Sequence, residues 1–110
     1  MIKIKFIKKN DNFLSFEISG HANNGKYGED IVCAAVSATS TMVLNGLLEV
    51  MSLKFHYEYK DGYIYCDLSK LDINTLSRSD IQNSLKMLNI FLKELTVEYP
   101  RNIKFHTEEV

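Results

Sequence analysis

One stretch limits the choice of fold more than any other. From Ile31 to about Met51 the chain is apolar nearly all round: Ile31, Ala35, Ala38 and Met42 recur on one face of a helix, and Val32, Val36, Val43, Leu47 and Val50 on another. A helix of that kind is not satisfied by one dry stripe. It has to be covered on more than one side, by a sheet on one and by a second helix or a partner subunit on the other. Asp30 immediately precedes the run and is a residue type that caps helix N-termini, so the helix is expected to begin there.

The flanking segments supply the sheet. Ile2, Ile4 and Phe6 alternate with lysines, Asn10-Asp11-Asn12 is turn chemistry, and Leu14, Phe16 and Ile18 alternate with Ser15 and Glu17. These make a first hairpin. Phe55, Tyr57 and Tyr59 alternate with Lys54, His56 and Glu58, the Asp61-Gly62 pair turns the chain, and residues 63–68 return as a second hairpin. A second helix starts at Ser77 or Ser79, carries the core stripe Ile81, Leu85, Leu88, Leu92 and Leu95, and ends at Pro100. Residues 103–106 form a short last strand. The order ββαββαβ predicts an α+β two-layer sandwich, with a mostly antiparallel sheet and two helices, residues 1–110 forming a single domain.

Composition narrows the functional classes. At 110 residues and 45% apolar content the chain can bury a real core. A net charge of −1 provides no basic field to hold phosphates, so direct nucleic-acid binding is not expected. Met1 leads straight into an alternating strand rather than an apolar leader, and no apolar run is read as approaching the ~20 residues that cross a bilayer, so no membrane role is expected. Two cysteines without an export signal point to the cytoplasm and to reduced thiols rather than a Cys33–Cys66 disulfide.

The chemistry concentrates around the first helix. Gly20-His21-Ala22 closes the second strand, a loop over residues 20–29 holds Gly25 and Gly28, and Cys33 follows in what reads as the first helical turn. A thiolate is the nucleophilic form of cysteine. A helix N-terminus and a neighbouring imidazole both favour it. The unpaired N–H groups of the same helix end would hold an oxyanion. Asp30, three residues before Cys33, shares its helix face and either orients His21, opposes the thiolate, or simply caps the helix.

Blander readings stand beside these. Cys33 can be a small buried hydrophobe, His21 a loop-anchoring hydrogen bonder, and Ser37 a back-bonding helix serine rather than support for a site. Cys66 reads as core, and His56 and His106 as strand-surface residues. Cys33, His21 and Cys66 lack paired metal-ligand spacing, so no metal is expected. The tyrosine-rich hairpin reads as sheet packing rather than a base-stacking platform.

The run Gly20-His21-Ala22, Gly28-Glu29-Asp30-Ile31-Val32-Cys33-Ala34 and Ser37 resembles the signature of the ribosomal-processing cysteine protease family, Prp. That resemblance implies a cytoplasmic, homodimeric endopeptidase without a cofactor. It would remove a short N-terminal extension from large-subunit ribosomal protein twenty-seven, cutting after an aromatic pair. It places the catalytic dyad on His21 and Cys33 and puts Asp30 at the residue before the helix. It makes residues 23–29 a loop that moves over the peptide, and it assigns Gly20, Ala22, Gly25, Tyr27 and Gly28 to the substrate-binding stretch around that loop. The competing expectations are a non-catalytic, ribosome-associated module that holds a peptide in the same cleft, and a structural dimer whose Cys33 is merely buried.

Overall fold

The computed structural model describes residues 1–21 and 27–110, and for residues 27–30 it describes the backbone alone. The first hairpin joins β1 (Ile2–Lys9) to β2 (Asn12–Ser19), with Lys9 opposite Asn12. Asn10 and Asp11 both have positive φ, 48° and 69°. A type I′ turn demands this of its two central residues, and Asn and Asp tolerate it.

The register slips between Ile7 and Lys8, so that Lys8 faces Phe13 and Leu14 is passed over. The bulge brings Phe13 onto the core face, where its ring meets Phe6 edge-on at 5.6 Å. Leu14, expected in the core stripe with Phe16 and Ile18, is half-buried instead, and its carbonyl accepts the Leu68 N–H. Strict alternation predicts the wrong residue there because a one-residue bulge inverts every side chain beyond it.

The sheet runs β3-β4-β2-β1-β5, where β3 is His56–Lys60, β4 is Tyr63–Asp67 and β5 is Ile103–Glu109. β5 lies parallel to β1, and the other three pairings are antiparallel. Ile4 with Ile18, Phe6 with Phe16, and Phe16 with Cys66 are cross-strand neighbours on one face. That face is buried under two helices, while Lys3 and Lys5 on the opposite face stay open to water. The expected α+β two-layer arrangement is therefore what forms.

Helix α1 spans Tyr27–Asn45 and continues as one π-helical segment, Gly46–Val50. Helix α2 (Ile73–Leu76) is an addition to the expected order, started by Asp72, whose carboxylate accepts the Thr75 N–H. Helix α3 is Ser79–Glu98, with Ile81, Leu85, Leu88 and Leu92 buried and Leu95 half-buried. Gln82 ties it to the bulged strand by accepting the Phe13 N–H and donating to the Phe13 carbonyl.

Three expectations for the first helix need correction. It begins at Tyr27, so Asp30 is its fourth residue and not its cap, and Cys33 lies in the second turn rather than the first. Gly28 argued for a loop, but one helical glycine costs only about 1 kcal/mol relative to alanine, which a long downstream helix absorbs. Val50 is 82% exposed because the π segment rotates it off the face that Val32, Val36, Val43 and Leu47 bury.

The third concerns length. Ile31–Val50 is 20 residues with a mean hydropathy of 1.7, long and apolar enough by those measures to cross a membrane, contrary to the sequence expectation. Here its buried face joins the core cluster shared by the sheet and α3. Its other face, Ile31 (44% exposed), Ala38 and Met42 (64% exposed), is left uncovered within one chain.

Candidate active site

The backbone places His21 before any side chain does. β2 ends at Ser19, opposite Tyr63 at the start of β4, and Gly20 then turns with φ +95°. The Gly20 N–H donates to the Gly62 carbonyl at 2.9 Å. A side chain at Gly20 would collide with the Met1 carbonyl, so this position takes glycine for space as well as for φ. The Met1 α-ammonium donates to the His21 carbonyl at 2.8 Å. His21 is thus held between the start of β1 and the β3–β4 turn, with its side chain exposed.

Cys33 comes from the other layer. It sits on α1 between buried Val32 and solvent-facing Ala34, half-buried and packed against the core cluster. Both residues line one cleft of about 490 Å³, within the range of small-molecule and side-chain pockets. Ile2, Ile18 and Ile64 form its apolar part, Ala34 and Ser37 extend the α1 wall, and the opposite wall is the hairpin from Tyr59 to Tyr63.

The hairpin wall adds polar groups. Lys60 and Asp61 put opposite charges on the cleft, and the Lys60 ammonium lies 5.3 Å from the centre of the Tyr63 ring. The Tyr63 hydroxyl donates to Glu17 at 2.6 Å. That bond, with burial and the carboxylate's charge, pushes the phenol up to about 12, so Tyr63 stays neutral at any working pH. The Tyr59 hydroxyl accepts from Thr41 of α1 at 3.3 Å, linking the two walls.

Of the residues singled out from sequence, His21, Cys33, Gly20 and Ser37 share this cleft. Ala22 and Gly25 lie outside the described residues. Tyr27, Gly28 and Asp30 are helical in backbone, which shortens the expected loop of residues 23–29 from its C-terminal side. Cys66 is elsewhere, fully buried in the sheet, where desolvation and then the Asp67 charge push its thiol up to about 12. His56 and His106 are exposed on strands, as expected. Sequence reasoning missed the whole hairpin wall. Asp61-Gly62 announced a turn, but nothing local announced what the turn would touch.

A cleft with a thiol on one wall and an imidazole on another also has relatives. The model of the family described as cysteine protease Prp matches residues 1–104. The chain belongs to the Prp family of cysteine proteases. The ribosomal processing cysteine protease Prp of Staphylococcus aureus is 29% identical over 89 residues, 81% of each chain. That of Bacillus subtilis is 26% identical over 96 residues, covering 86% of this chain and 85% of the relative. Among solved structures, SMU.848 from Streptococcus mutans superposes with a TM-score of 0.84 at 31% identity, covering 100% of this chain and 96% of that one. S. aureus Prp in complex with a substrate peptide gives 0.81 at 25% identity, covering 98% and 100%. The same S. aureus Prp has also been solved with a covalently linked product peptide, TM-score 0.82. As a Prp family member the chain is a cysteine protease.

Proposed function

We propose that this Prp protein is the endopeptidase that removes the short N-terminal extension of large-subunit ribosomal protein twenty-seven, cutting after an aromatic pair. The carrying observation is that His21 and Cys33, from different layers of the fold, line one cleft. Its apolar part, made by Ile2, Ile18 and Ile64, suits an aromatic side chain of the peptide.

In this reading His21 takes the Cys33 proton, and the thiolate attacks the scissile carbonyl carbon. The tetrahedral intermediate collapses as His21 protonates the leaving amine, which leaves a thioester on Cys33. Water adds to the thioester, the new carboxylic acid departs, and the thiol is restored. No cofactor enters. The start of α1 alters one part of the scheme. Its N-terminal N–H groups belong to residues 27–30, and Cys33 stands six residues from Tyr27, roughly 9 Å along the axis. A macrodipole effect fades within the first turn. Activation of the thiol therefore falls mainly to His21, and Asp30 is left as an orienting candidate rather than a cap.

The proposed assembly is a cytoplasmic homodimer. The α1 stripe of Ile31, Ala38 and Met42 is apolar and uncovered, and a second copy is the partner that suits it. Sedimentation is expected to show a dimer at micromolar concentration, and Met42→Glu a monomer. Wild-type sedimentation as a monomer would overturn the assembly.

The cleavage test uses a synthetic peptide spanning the extension and its aromatic pair. The expected result is a single cut after that pair by the reduced protein, lost in Cys33→Ala and in His21→Ala. A peptide left intact by reduced wild type overturns the proposed substrate.

A further inference from the structure

The β3–β4 turn is built around the candidate base. A Cβ at Gly62 would lie 2.5 Å from His21 Nε2, 3.0 Å from Cε1 and 3.2 Å from Cδ2. All three contacts are to the imidazole ring, so the ring rests on the bare Cα of Gly62. The same glycine's carbonyl accepts the N–H of Gly20, the residue before His21. One residue on a distant hairpin thus holds both the backbone entering the histidine and the ring itself.

We infer that Gly62 is a positioning residue for His21: the side chain missing from the hairpin turn is the seat that keeps the imidazole in the cleft. The inference rests on the reading of His21 as the base. A turn requirement and a seat requirement coincide here, since Gly62 also has φ +72°. They can be separated. Asparagine accepts positive φ, as Asn10 does in this chain at 48°, yet it brings the Cβ that the seat excludes. Gly62→Asn therefore leaves the turn largely intact and removes the seat. Displacing the ring by about an ångström is enough to cost about 100-fold in rate.

The experiment compares wild type, Gly62→Asn, Gly62→Ala, His21→Ala and, as a glycine-replacement control away from the cleft, Gly46→Ala. At Gly46 a Cβ would meet nothing within 4 Å. Both Gly62 variants are expected to lose about 100-fold in kcat with KM within about threefold. Gly46→Ala should keep wild-type kcat. In wild-type protein, NMR is expected to show an NOE between an imidazole carbon-bound proton of His21 and a Gly62 Hα, a readout that survives if the variants fail to fold. A folded Gly62→Asn with kcat within about threefold of wild type, while His21→Ala is inactive, overturns the seat alone. Absence of the NOE does the same. Full cleavage by His21→Ala overturns the base assignment and, with it, any catalytic meaning of the seat.

Discussion

The two cysteines of this chain occupy opposite settings. Cys33 stands on α1 at the edge of an open cleft, half-buried, with Ala34 and Ser37 beside it on the same wall. Cys66 is in the middle of the sheet, 0% exposed, paired with Phe16 on one side and Tyr57 on the other. Burial holds the Cys66 proton far above the usual range, so that side chain is a small hydrophobe. A thiol's chemistry in this fold is thus assigned by its layer. The dry interface between sheet and helices silences one, and the rim of that interface leaves the other on a cleft that an imidazole also lines.

The largest test of this contrast is catalytic. Cys33→Ala is expected to reduce peptide cleavage by about 10⁴-fold or more, whereas Cys66→Ala should stay within about threefold of wild type once folded. Reversal of that order in a cleavage assay would break the comparison outright. Alkylation comes next. Iodoacetamide at neutral pH, followed by mass spectrometry of the native protein, should modify Cys33 about 100-fold faster than Cys66. Equal rates would mean that the sheet interface opens as readily as the cleft.

Stability should run the other way and by less. Cys66→Ala opens space in a closed core and is expected to cost about 1–2 kcal/mol, a drop of several degrees in melting temperature. Cys33→Ala should cost less than half of that, because its site already meets solvent. The last effect is the alkaline one, confined to a narrow pH window. The native thiol of Cys66 keeps its proton to about 12, against 9.0 in its ordinary state. Between those values the unfolded chain gives up the proton first. The stabilisation present below pH 9 is therefore lost as pH rises through that window. Tyr63, held up to about 12 by Glu17, contributes in the same direction. Thermal melts above pH 9 should accordingly decline more steeply for wild type than for Cys66→Ala. Parallel slopes would show that Cys66 is not the group responsible.

Much of this was legible beforehand, for local reasons. The stripe Ile81, Leu85, Leu88 and Leu92 repeats at helical spacing, and Ile2, Ile4 and Phe6 repeat at strand spacing, so their buried faces follow from the chain itself. Phe13 and Leu14 exchange places because a bulge leaves no mark in alternation until the partner strand is known. Local pattern starts α1 too late because Gly28 reads as a breaker, although helix continuation from the residues after it outweighs that penalty.

His21 and Cys33 stood out as candidates by residue type and by the motif around them. The wall opposite them did not. Tyr59 to Gly62 are some forty residues beyond His21, and only the sheet order β3-β4-β2, with Ser19 against Tyr63, brings that turn beside Gly20 and His21. Local spacing carries the order of the main elements, most of their dry faces and the motif that belongs to the Prp family, whereas α2 and the bulge at Phe13 leave no such mark. The tertiary structure decided which strand neighbours which, and so decided the cleft and the seat under His21. Those depend on hydrogen bonds and buried contacts between segments whose proximity no local pattern encodes.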